Sequence, residues 1–149
     1  MRLETLFSIS VFLTGALVRG QGAFVHNQCG ENIYILHTDT TGVIHPVVAL
    51  PPGNTYSEGI PGGNVAVSLK IGTTPALSAP VVWEYHWDTG TNTIFIDIVE
   101  KLGDPFFGVM RGSYDIEGEC GAIWCNPLVA CPTTILDCPP SDIEFVVCA

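Results

Sequence analysis

Cationic side chains are scarce in this chain. Lysine and arginine together number 5 against 15 aspartates and glutamates, giving a formal net charge of −10 over 149 residues. Such a balance repels nucleic acid and anionic lipid, so neither a nucleic acid nor a membrane is expected as a partner. Helical periodicity is lacking beyond the first 20 residues, which argues against an α-helical or α/β fold. No G-x-S-x-G, P-loop, dinucleotide fingerprint or H-E-x-x-H occurs, so the enzyme classes those motifs announce are not indicated and no cofactor is expected. No N-x-S/T sequon is present, which removes N-glycosylation. Nothing at Cys148-Ala149 resembles a lipid-anchor signal.

What is present begins with an address. Arg2 precedes an apolar run over residues 6–18, and Val18-Arg19-Gly20 closes it with small residues. This pattern predicts a secretory signal peptide over residues 1–20, followed by one domain over residues 21–149. The run is shorter than the ~20 residues a spanning helix requires, and no second long apolar stretch follows it. A secreted, extracellular protein is therefore expected. The 6 cysteines, Cys29, Cys120, Cys125, Cys131, Cys138 and Cys148, fit three disulfides in that compartment, with connectivity open. Zinc is the weaker reading, because the spacings lack C-x2-C.

The remaining residues read as short β-rich segments separated by Gly, Pro, Asn and Thr. Strands are expected over residues 23–27, 32–38, 42–50 (interrupted by Pro46, hence an edge or a bulge), 65–71 and 81–99, with a further short one over 106–111. The tail over residues 118–149 holds five cysteines and several prolines, and is expected to be loop-rich and stapled. The fold class is all-β, a sandwich.

The segment VVWEYHWDTGTNTIFIDIVE, residues 81–100, carries the most information. Two alternating runs flank a Thr-Gly-Thr-Asn turn. If Asp88 pairs with Thr93, Glu84 stands opposite Asp97, because side chains alternate between faces. Trp83, Tyr85 and Trp87 then share one face with Ile94, Ile96 and Ile98, and that face belongs to a core. The other face sets two carboxylates side by side, with Cβ atoms about 5 Å apart, an unfavourable arrangement unless it is used. Glu84 and Asp97 are thus the candidate site residues. As a sugar site they would accept hydroxyl hydrogen bonds, with His86 or Phe95 as a stacking surface. As a glycosidase they would need one protonated and one ionised carboxyl about 5–5.5 Å apart.

Other candidates have plainer readings. The tryptophan and tyrosine row opposite three isoleucines is a core face before it is a carbohydrate platform. Trp124 is the aromatic better placed for exposure, with packing on a disulfide as its default. His26, His37, His45 and His86 are scattered, and a metal site would need two or three of them to converge, so no metal is expected. Asp115, Glu117 and Glu119 lack the order of a calcium loop and read as a solvated acidic segment.

AFVHNQCGENIYILH, ALPPGNTYSEGIPGGNVAVSLKIGT and WEYHWDTGTNTIFIDIVEKLGDPFFGVM, followed by the late cysteines, resemble in content and order the thaumatin-like superfamily. The short length and Gly103-Asp104-Pro105-Phe106 resemble its small fungal branch, the Blastomyces yeast-phase-specific type. The resemblance implies a β-sandwich, and an acidic cleft of the kind that binds β-1,3-glucan and in a few members hydrolyses it weakly. Glu84 and Asp97 match acidic positions of that cleft. A third acidic position falls on Leu102, with Asp104 two residues on, and the cleft arginine falls near Lys70. The large second domain that walls the cleft is mostly missing here. The resemblance also suggests Cys29–Cys148 and Cys131–Cys138, which leaves Cys120–Cys125. The expected binding set is Glu84, Asp97, Asp104, Lys70, His86 and Phe95. The expected function is non-catalytic binding of cell-wall glucan by a monomer. An effector or antigen that binds a host or surface protein is the second reading, and a weak endo-β-1,3-glucanase the third.

Overall fold

The computed structural model describes residues 21–149, so the expected signal peptide lies outside the described residues. In chain order the strands are β1 (Gly22–Asn27), β2 (Ile33–Asp39), β3 (Val48–Leu50), β4 (Thr55–Gly59), β5 (Ala66–Gly72), β6 (Val81–Asp88), β7 (Thr93–Val99), β8 (Arg111–Asp115), β9 (Ala122–Cys125), β10 (Leu136–Cys138) and β11 (Ile143–Val147), with no helix among the described residues. They form a five-stranded sheet, β4-β1-β11-β8-β9, and a six-stranded sheet, β10-β7-β6-β5-β2-β3. All ladders are antiparallel except β1 with β11. The fold is the all-β sandwich that the alternation predicts.

The inward rows of the two sheets make one core. Ile33, Ile35, Leu69, Ile71, Trp83, Tyr85, Ile94 and Ile96 of one sheet face Val25, Ile123, Ile143, Phe145 and Val147 of the other, all buried. Each such side chain stabilises the fold by about 1.5–3 kcal/mol through burial alone. Trp83 stacks on Phe145 with ring centroids 5.7 Å apart. Its indole N–H donates to Ser113 Oγ at 2.9 Å, so the largest core side chain also has its polar atom satisfied across the sheets. The β6–β7 hairpin has the expected register: Asp88 opposes Thr93, Glu84 opposes Asp97, and Trp83 opposes Ile98. Asp88 Oδ1 accepts from Gly90 N at 2.8 Å and Thr91 N at 3.3 Å, which shapes the turn. Those bonds hold the Asp88 carboxyl below its ordinary value.

Several local expectations are corrected. Of residues 42–50 only Val48–Leu50 form a strand, an edge strand beside β2. Ile44 touches β2 through a single bridge to Thr38. Pro46 interrupts between them, having no N–H for a ladder. Residues 106–110 are turns rather than a strand. Asp104 Oδ1 accepts from Phe106 N at 3.1 Å, and Val109 N donates to Phe106 O at 3.1 Å. The loop-rich, disulfide-bearing tail also contributes β9, β10 and β11. The last of these is the central strand of the five-stranded sheet.

The disulfides are Cys29–Cys148, Cys120–Cys138 and Cys125–Cys131. The first agrees with the pairing suggested by resemblance; Cys131–Cys138 and Cys120–Cys125 do not form. β9 separates Cys120 from Cys125. An extended run gains about 3.3 Å per residue, which carries the two beyond the ~7 Å Cα limit for a bridge. β10 brings Cys138 to Cys120 instead. Asn27 positions the Cys29–Cys148 bridge: its Nδ2 donates to Glu31 O and Leu50 O, and its Oδ1 accepts from Cys29 N at 2.9 Å.

Candidate functional site

The outer face of the six-stranded sheet is a grid set by register. One row runs Ser68, Glu84, Asp97 across β5, β6 and β7. The next runs Ala66, His86, Phe95 and, on β10, Asp137. A further row, on the other side, holds Lys70 and Val82. Glu84 Oε1 accepts from Ser68 Oγ at 3.0 Å. Asp97 Oδ1 accepts from Ile98 N at 2.8 Å. Neither carboxylate has a cation within 4.0 Å among the described residues, Lys70 included. The His86 and Phe95 rings stack at 5.2 Å with 11° between their planes. These groups line an open groove of about 240 Å³, with Ile135 at its far edge. A second hollow, of about 500 Å³, continues past Asp97 and Ile135 along the end of β7 to Lys101 and Thr133.

Asp104, expected beside that pair, lies elsewhere. Arg111 opens β8 with its side chain fully buried, and its Nη2 donates to Glu100 and, at 2.5 Å, to Asp104 Oδ2. Glu100 Oε2 also accepts from Cys131 N at 2.9 Å, tying the tail to this cluster. Burial pushes the Asp104 carboxyl above its ordinary value; Arg111 opposes this and the Glu100 charge adds to it. The cluster is therefore a buried ionic joint between β8 and the segment after β7.

Two further acids serve structure. Asp115 is buried, and its carboxylate accepts from Gly118 N and Cys120 N, both at 2.8 Å. It fixes the turn before Cys120, where a solvated segment was expected. Glu58, on β4, accepts from Tyr85 of β6, from Tyr56 at 2.5 Å and from His37 Nδ1 at 2.8 Å, joining the two sheets. Burial first, and then the hydrogen bond to Glu58 and its charge, pushes the hydroxyls of both tyrosines far above the ordinary phenol range.

Of the expected binding set, the structure brings Glu84, Asp97, His86 and Phe95 into one groove and sets Lys70 one row away. One groove residue, Ile135, and one beside the groove, Asp137, escaped sequence reading. Ile135 and Asp137 reach the face only because β10 pairs with β7, and three strand residues beside a Cys-Pro step leave no alternation to detect. Trp124 is 45% exposed and stacks on Tyr114 at 5.9 Å rather than on a disulfide. Gly112 makes room for it, since a Cβ there would stand 2.4 Å from its ring. The histidines are less scattered than expected: His37 and His45 lie ring to ring, with centroids 4.3 Å apart.

Comparison with known proteins agrees with this architecture. The profile of the Bys1 family, Blastomyces yeast-phase-specific protein, matches residues 10–149. The chain belongs to that family. Among solved structures, the protein elicitor MoHrip2 from Magnaporthe oryzae superposes with a TM-score of 0.74 at 24% identity, over 87% of this chain and 99% of that one. The thaumatin-like xylanase inhibitor TLXI superposes with a TM-score of 0.58 at 12% identity, over 85% of this chain and 99% of that one. The sandwich is accordingly a thaumatin-like fold. No curated protein sequence matches the chain.

Proposed function

We propose that this Blastomyces yeast-phase-specific family member acts outside the cell as a non-catalytic carbohydrate-binding protein, with cell-wall β-1,3-glucan as its ligand class. The observation that carries this reading is the groove where two carboxylates without a cation adjoin a stacked pair of rings. Glu84 and Asp97 accept hydrogen bonds from sugar hydroxyls, which are neutral donors a −10 chain does not repel. His86 and Phe95 offer a flat surface to the C–H face of a pyranose ring. Lys70 and Asp137 extend the polar surface to either side. Three disulfides suit an extracellular setting.

The test is retention on insoluble β-1,3-glucan. The protein should be retained, and Glu84→Gln/Asp97→Asn should lower retention at least ~10-fold, the loss of about 1.4 kcal/mol of binding. Unchanged retention of the double variant excludes this groove. Release of reducing sugar from laminarin, lost in Glu84→Gln, would replace binding with weak hydrolysis.

A second reading has its own observation. Phe107 and Leu128 are 61% and 77% exposed. They sit on loops tied together by Gly108 N donating to Pro127 O at 2.7 Å. Exposed apolar side chains on adjoining loops suit a protein partner, on a host or a cell surface, as for an effector or antigen. The elicitor and inhibitor named above make that reading worth testing. A blank glycan array, together with binding to a surface protein that Leu128→Asp abolishes, would favour it over the glucan reading.

A further inference from the structure

His37, Asp39 and His45 form, we propose, a binding site for a divalent transition cation of the zinc class. The three lie on β2 and the loop that follows it, at the open edge of the sandwich. His37 and Asp39 continue the inward row of Ile33 and Ile35, so they point between the sheets where the core ends. The Thr38–Ile44 bridge folds the loop back, and that places His45 beside His37. One potential ligand atom from each of the three residues lies within 4.8 Å of the other two.

The hydrogen bonds around the cluster leave the right atoms free. His37 Nδ1 meets Glu58 Oε2 at 2.8 Å, and a carboxylate can only accept, so Nδ1 carries the proton. With Nδ1 so engaged, Nε2 is the ring atom open to an ion, and it faces Asp39 Oδ2 at 3.4 Å. A cation between Nε2 and Oδ2, either a bound metal ion or a second ring proton, satisfies both atoms. Ligands about 2.0–2.1 Å from a tetrahedral zinc stand roughly 3.3 Å apart, close to the spacing seen. Asp39 Oδ1 is already engaged by Thr41 N at 2.8 Å and Thr41 Oγ1 at 2.5 Å, which leaves Oδ2 for the ion. His45 makes no side-chain hydrogen bond among the described residues and is exposed, so its ring can turn to the ion and leave one coordination position to solvent.

Glu58 completes the arrangement. A carboxylate that holds the far nitrogen of a ligating histidine fixes its tautomer and raises its basicity. Glu58 is itself fixed by Tyr56 and Tyr85. Two imidazoles and one carboxylate suit zinc or copper over magnesium or calcium. Because Glu58 belongs to the five-stranded sheet, and His37 and Asp39 to the six-stranded one, the ion would brace the edge where the sheets part.

The test is calorimetric titration of zinc chloride into the purified protein near neutral pH, with magnesium chloride as the control. One zinc per chain and no magnesium uptake are expected. His45→Ala, at an exposed position, should keep the fold and weaken zinc binding at least ~10-fold. Glu58→Gln should weaken it by roughly 10–100-fold, as loss of a ligand's carboxylate partner does. His26→Ala and His86→Ala should change nothing. Absence of saturable zinc uptake, or the same affinity in His45→Ala and His37→Ala, overturns the proposal and leaves a protonated His37 as the charge between Glu58 and Asp39.

Discussion

Glu84 and Asp97 face solvent on one sheet and share no cation; Glu100 and Asp104, just along the chain, share the buried guanidinium of Arg111. Both are carboxylate pairs on or just past the same hairpin. In the second pair the charges are taken out of water and must be balanced, so all three residues serve the joint between β8 and the tail. In the first pair no cation among the described residues balances the charges, and a hydroxyl from Ser68 is the one side-chain donor among them. A carboxylate pair therefore reads as structure or as ligand surface according to its counterion and burial, not its spacing.

The sharpest way to break the comparison is to remove the counterion. Arg111→Met leaves two carboxylates buried without a partner, and should cost about 3–5 kcal/mol, as loss of one member of a buried ion pair does. Thermal unfolding should fall on the order of 10 °C or more. An unchanged midpoint would mean that Glu100 and Asp104 reach water freely. Glu58 gives an intermediate case, a carboxylate balanced by neutral hydroxyls and one histidine. Tyr85→Phe removes one donor and should cost about 1–2 kcal/mol in denaturant unfolding. A loss near that of Arg111→Met would show that the hydroxyl matters as much as a full charge.

How much of this contrast could be read from the sequence depends on how local its causes are. The hairpin register is legible because Trp83, Tyr85 and Trp87 alternate against Ile94, Ile96 and Ile98 across a turn, and one register alone buries both rows. Glu84 and Asp97 follow from it at once. The fate of Asp104 does not, because Arg111 reaches it from the other sheet and no local pattern records that. β11 escapes for a similar reason: its parallel partner β1 lies about 120 residues earlier, as Ala23 opposite Ile143 shows. Phe106 and Phe107 look like a strand by composition, but Asp104 turns the backbone under them. The disulfide partners follow from β9 and β10, whose few residues are too short to alternate visibly.

A smaller effect sharpens the comparison at a third carboxylate. Tyr114 donates to Glu144, and burial first, then that bond, pushes its hydroxyl up to about 12. Its ordinary value in the unfolded chain is about 10. A group held higher in the fold contributes stability that is complete below the unfolded value and is lost as pH rises through the folded one. Stability should therefore decline between about pH 10 and 12. Ultraviolet titration should show Glu144→Gln moving this tyrosine back toward its ordinary value. No movement would leave burial as the whole cause.

The smallest expected effect on stability is at the outer pair, and it is the most direct test. If Glu84 and Asp97 are ligand surface, Glu84→Gln/Asp97→Asn relieves a like-charge contact worth less than about 1 kcal/mol and removes no structural bond of consequence. Denaturant unfolding of the double variant should match the wild type or exceed it slightly. A loss above about 2 kcal/mol would place the pair with Glu100 and Asp104 as structure, and the distinction between the two regions would fall.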